Sequence, residues 1–232
     1  MLQPFTLEFF KELRQNNHKE WFDQNRKRYE KVKADYLNLA GNILEEMKKV
    51  DESLDILSPK DCTFRINKDI RFSKDKTPYK TNLGIALHPF GKKMQLAAYY
   101  IHLEEGQSFV GGGLWMPEAP LLAKLRKEIN YFYQDLEGIL SDPNFIKTYG
   151  ELDVDPGQKL IRPPKGYEAE NPAIEFLKLK SFTASRKIPD NMLTSGKLIP
   201  FVKESLTTLK PMISFVNRGL MSDDDGGIQV LE

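Results

Sequence analysis

The chain has 232 residues, 40% hydrophobic and 29% charged, enough to bury roughly 70–75% of its unfolded surface in one large domain. A formal net charge of +1 excludes a general coat of nucleic acid or membrane, so any site for a polyanion has to be local. One cysteine, Cys62, excludes an internal disulfide and a cysteine-rich metal site, and no window approaches 18 uncharged apolar residues.

The opening MLQPFTLEFFKEL lacks the basic start and apolar run of a secretory signal, so a soluble cytoplasmic protein is expected. Thr6 reads as the N-cap of a first helix over about residues 7–15, with Phe5 and Phe10 as a hydrophobic staple. Asn17 and Glu20 have the spacing of a capping box opening a second helix that ends near Val50. Phe22, Tyr29, Val32, Tyr36, Leu39, Ile43 and Met47 give that helix one apolar stripe, and the Lys and Glu between them read as solvated surface.

Beyond Asp61 the period falls to two. Phe64 and Ile66 alternate with polar neighbours, Leu83, Ile85 and Leu87 do the same, and MQLAAYYIHL (94–103) has the look of a central strand. Ser108–Val110 runs into Gly111-Gly112-Gly113. Pro117 and Pro120 suit the first turn of a third helix with a stripe from Leu122 to Ile139. Asp142-Pro143 opens a short helix that Gly150 ends, and Asn171-Pro172 opens another. Residues 177–187 read as an edge strand, and 195–220 as mostly helix with a break at Pro211. These elements predict an α+β fold: an antiparallel sheet of four to six strands packed by long helices. Residues 1–222 are expected to form a single domain and 223–232 a mobile tail.

The chemistry concentrates in DCTFRINKDIRFSKDKTPYKTNLGIAL (61–87). Between Arg65 and Lys80 stand six cations and two acids, a local charge of +4 in a chain of +1. Arginine offers phosphate or carboxylate a planar fork and lysine a mobile charge. Interleaved aromatics are how single strands and nucleotides are often held. Arg65, Arg71, Lys76, Tyr79 and Lys80 are therefore candidate ligand-binding residues. The competing reading is structural, with Arg65–Asp69 or Arg71–Asp75 pairs stapling strands together.

Gly112 and Trp115 are further candidates, because glycines before a helix can turn N–H groups toward an anion. The triplet lacks the lysine and hydroxyl of a P-loop, and close approach of another backbone explains it as well. His88, His102, Glu104 and Glu105 could gather at a divalent metal. Structural histidines are commoner, so no metal and no cofactor is expected. Asp69 and Asp75 could act in metal-assisted phosphate-ester hydrolysis, or serve only as counter-ions.

The phrases FRINKDIRFSKDKTPYKTNLG (64–84) and GGGLWMP (111–117) resemble a family of bacterial and fungal proteins known as domain of unknown function 2461. NNHKEWFDQNRKRYE (16–30) and RPPKGYEAENP (162–172) resemble it too, so the likeness runs through most of the chain. Lys68 stands where the resemblance leads one to expect arginine, which keeps the charge. The resemblance implies a single-domain α+β protein and supplies no activity. Composition and motifs together lead to a phosphate-containing ligand or nucleic acid as the expected partner, with no membrane. A phosphate-ester hydrolase and a ligand-free scaffold are the alternatives.

Overall fold

The computed structural model describes residues 1–91 and 95–222. The expected tail, 223–232, and the start of the 94–103 strand lie outside the described residues. The chain is mixed α+β. Strands β1 (Leu83–Leu87), β2 (Ala98–Leu103), β3 (Phe109–Leu114) and β4 (Phe182–Lys187) form one open antiparallel sheet in the order β1-β2-β3-β4. The helices are α1 (Pro4–Gln15), α2 (Lys19–Gln24), α3 (Arg26–Lys48), α4 (Ala119–Leu140), α5 (Pro143–Tyr149), α6 (Ile174–Leu177) and α7 (Leu198–Met221). Among the described residues, no helix is long and apolar enough to cross a membrane.

Two compact units can be distinguished. The first comprises Met1–Lys92, Tyr100–Val110 and Lys187–Glu204; the second comprises Lys93–Tyr99, Gly111–Arg186 and Ser205–Glu232. In the first, α3 buries Val32, Tyr36, Leu39, Ile43 and Met47, the stripe expected from their spacing. Phe9, Leu13 and Phe22 join this core from α1 and α2, and all of β1 is buried. Leu54 and Cys62 are also fully enclosed.

Helix α1 begins earlier than the sequence suggests, because Pro4 occupies its first turn, where a missing N–H does no harm. Thr6 is therefore inside the helix rather than its cap. A carboxylate from α3 does the capping instead: Asp35 accepts the Gln3 N–H at 2.9 Å and the Thr6 hydroxyl at 2.7 Å. The expected second helix is two, parted at Asn25, and the cap of α2 is His18, whose Nδ1 accepts the Trp21 N–H. Asn17 is left for a long-range role described below.

In the second unit, α4 buries Leu125, Ile129 and Leu136 and departs from helical geometry at Phe132. Asp142 caps α5 by accepting the Asn144 N–H at 2.7 Å, and Gly150 ends it at a positive φ, as the sequence predicts. Pro211 sits inside α7 without ending it. The glycine triplet lies within β3, not in a loop after it. A Cβ on Gly111 would stand 2.1 Å from the Ala184 carbonyl oxygen, one on Gly112 2.3 Å from that of Ala98, and one on Gly113 2.0 Å from that of Phe182. Close backbone approach on both sides of β3 explains all three glycines.

The Asp35 cap joins two helices through one buried carboxylate. Asp35→Ala should lower unfolding stability by about 2–3 kcal/mol in urea titrations, because it strands a backbone donor and a buried hydroxyl. Thr6→Ala should cost less, and the double variant should fall short of the sum.

Candidate functional site

The charged segment 61–82 is a strap rather than a strand. Only two isolated antiparallel bridges hold it, Thr63 with Ile85 and Asn67 with Tyr79. The Lys68 N–H donates to the Pro78 carbonyl at 2.9 Å and the Lys80 N–H to that of Ile66 at 2.8 Å, folding 66–80 back on itself. Side chains satisfy backbone groups that a ladder would otherwise pair. Tyr36 accepts the Phe64 N–H at 3.1 Å and donates to the Gly84 carbonyl. Asn17 accepts the Tyr79 N–H at 3.1 Å and donates to its carbonyl at 2.9 Å. The Tyr79 ring is buried and stacks on Phe22, with centroids 4.1 Å apart.

The strap's tip uses its charges internally. Arg71 grips Asp69 with two prongs, Nε at 2.9 Å and a terminal nitrogen at 2.6 Å, which lowers the Asp69 pKa. Asp75 accepts Lys68 Nζ at 2.8 Å, together with the Thr77 N–H and hydroxyl, and its pKa falls well below the usual carboxylate range. Lys76 Nζ donates to the Ile70 carbonyl at 2.9 Å. The sequence suggested Arg65–Asp69 and Arg71–Asp75; the pairs formed are Arg71–Asp69 and Lys68–Asp75.

The strap's inner end is different. With α3, β1 and β2 it encloses a cavity of about 370 Å³ within the first unit. Lys33 projects from α3, four residues after Tyr29 and three before Tyr36, so the helical period puts it at the edge of the apolar stripe. Arg65, Lys68 and Lys80 come from the strap, and Gly84 and Tyr100 line the cavity with Phe64 and His102. Four cations border it and no carboxylate does. Lys33, Arg65 and Lys80 have no ion-pair partner among the described residues. Burial, and secondarily the charge of Arg65, pulls the Lys80 pKa down, while Lys80 Nζ lies 5.3 Å from the Phe64 ring centre.

Tyr100, His102 and Glu104 share one side of β2 and its extension, at spacings of two. Tyr100 Oη is 3.4 Å from His102 Nδ1, and His102 Nε2 is 3.3 Å from Glu104, which also accepts Arg14 and Thr81 at 3.3 Å. His88 sits beyond the end of β1. Among the described residues there is no group of three or more His, Cys, Asp or Glu able to hold a metal ion.

Of the residues singled out in the sequence, Arg65 and Lys80 meet at the cavity. Tyr79 supports the strap from beneath, while Arg71 and Lys76 serve the tip. Gly112 and Trp115 belong to the second unit, Gly112 inside β3 and Trp115 exposed just beyond it. Lys33 and Tyr100 were not singled out. The signal for Lys33 was its i+4 and i−3 relation to two stripe tyrosines; for Tyr100, it was its two-residue spacing from His102 and Glu104, which the apolar run on both parities of 94–103 obscured.

Fold and site together define an α+β protein whose open antiparallel sheet and long N-terminal helix carry a cation-lined concavity. Over residues 5–215 the chain matches the family described as a conserved hypothetical protein (DUF2461), and it belongs to that family. No curated protein and no solved structure matches it.

The depressed Lys80 pKa has a sign that can be checked. Its folded value lies below the unfolded value near 10.5, so this group's contribution to stability rises with pH from the folded pKa up to the unfolded one. In dimethyl-lysine NMR titrations Lys80 should lose its proton at lower pH in the folded protein than in the urea-unfolded chain. Arg65→Gln should move its midpoint upward.

Proposed function

We propose that the first unit is a binding module for a small phosphate-bearing ligand, held in the cavity by Lys33, Arg65, Lys68 and Lys80. The observation that supports this reading is the lining itself, four cations with no carboxylate. Lys68 also holds Asp75 at 2.8 Å, but Lys33, Arg65 and Lys80 have no ion-pair partner among the described residues. Cations gathered so repel one another, and an anionic ligand relieves that repulsion while gaining charge-assisted hydrogen bonds. The volume falls in the usual range for small-ligand sites. Phe64 and Tyr100 offer aromatic surface to a planar group attached to the phosphate.

The ligand-free scaffold describes the strap's tip well, where each acid has its cation, but not the inner end. For hydrolysis, the acids named by the sequence, Asp69 and Asp75, are held as counter-ions. Binding is the reading the geometry favours.

The test pairs affinity with stability. With pyrophosphate or adenosine monophosphate in low-salt calorimetry, Arg65→Gln and Lys80→Gln should each weaken binding about tenfold. The melting temperature should hold or rise slightly. Arg71→Gln, which removes a cation at the tip, should leave affinity unchanged. Marked destabilisation by Arg65→Gln and Lys80→Gln, with no binding by the parent protein, would return the whole strap to a structural role.

A further inference from the structure

On the other side of Phe64 and Arg65, the first unit holds a second concavity of about 510 Å³. It shares six lining residues with the first, among them Tyr29, Lys33, Tyr36, Phe64 and Arg65, so the two have a common wall. Lys60 and Arg26 add positive charge on the far side, and Glu30 is the one acid in its lining. Arg26 is partly neutralised by Asp23 at 2.8 Å, whereas Lys60 has no ion-pair partner among the described residues. Cations thus continue from Lys68 and Lys80 through Arg65 and Lys33 to Lys60. The Phe64 ring, 43% exposed, stands where the two concavities meet.

From this arrangement we infer that the ligand is a single-stranded oligonucleotide, which lays successive phosphates along the two concavities with a base against Phe64. The inference rests on the cavity reading above and extends it in length and chemistry. A single nucleotide or a lone phosphate leaves the second set of cations unused. A strand crossing the shared wall satisfies both, since its charges repeat along a flexible backbone while its unpaired bases offer faces for stacking. Duplex is disfavoured because its bases are already stacked and cannot reach a ring set between two hollows. An acidic peptide would meet the cations but has no planar group to set against Phe64.

The probes are thymidine 5′-monophosphate, the dinucleotide pTpT and inorganic tripolyphosphate, measured by calorimetry across a salt series. The expected result is that pTpT binds at least tenfold more tightly than the mononucleotide, with a salt slope steeper by about 0.7 for the added phosphate. Lys60→Gln, an exposed substitution, should remove most of that gain and leave mononucleotide affinity intact. Phe64→Ala should weaken pTpT but not tripolyphosphate, and Arg65→Gln should weaken all three. Equal affinities for mononucleotide and dinucleotide would overturn the two-concavity inference while leaving the cavity reading standing. Tripolyphosphate binding as tightly as pTpT would overturn the nucleic-acid assignment, because charge alone would then account for the affinity. Failure of every probe to bind the parent protein would remove the cavity reading and this inference together.

Discussion

The site depends on how an irregular strap is held against regular structure. Residues 61–82 lack the ladder that would position a strand, yet their backbone groups still need partners. Two side chains from the N-terminal helical region supply them. The Tyr36 hydroxyl links the Phe64 N–H to the Gly84 carbonyl, and the Asn17 amide grips both polar groups of Tyr79. Arg65 follows directly on the first tie and Lys80 on the second. Both cations are thus set by the residue just before them, and their head groups face the same hollow as Lys33. Gly84 leaves the space beneath: a Cβ there would stand 2.7 Å from Tyr100 Oη.

Within the strap, charge is divided by distance from these ties. At the tip, short-range pairs between neighbours in sequence fold the loop, and Asp69 and Asp75 are consumed in doing so. At the base no acid lines the cavity, and Arg65 and Lys80 face its apolar and aromatic walls. The net local charge of +4 is therefore shared: Arg65 and Lys80 carry half of it at the base, and Lys74 and Lys76 carry the other half beside the two ion pairs of the tip. Averaging over the segment hides that arrangement.

Much of the fold was legible because periodicity survives without tertiary information. The α3 stripe, the α5 cap and stop, and strands β1 and β4 follow from spacing and punctuation. What was not legible came from long-range partners. Asp35 caps a helix that begins 31 residues before it in the sequence, displacing Thr6 from that role. Asn17 looked like a local cap because that is the commonest use of asparagine before a helix. Its partner is Tyr79, 62 positions away. The expected strand at Phe64–Asn67 had the right alternation, but Tyr36 took the N–H that a neighbouring strand would have used. For the proposed site, composition pointed to a segment that lines the cavity, and to Arg65 and Lys80 within it. Lys33 escaped because a lysine among Lys and Glu on a helix is usually solvent-facing, and only the strap's position distinguishes it.

Cys62 is the one thiol in the chain, fully enclosed, two residues before the Tyr36 tie. Its carbonyl accepts the Ala86 N–H at 2.9 Å, so it is fastened to β1 where the strap begins. A thiol reagent can reach it only when the structure around the start of the strap opens. The protein thus carries its own clock for local opening: the rate of Cys62 modification counts openings around the residue where the strap meets β1. It does so without an introduced probe and without interference from a second cysteine.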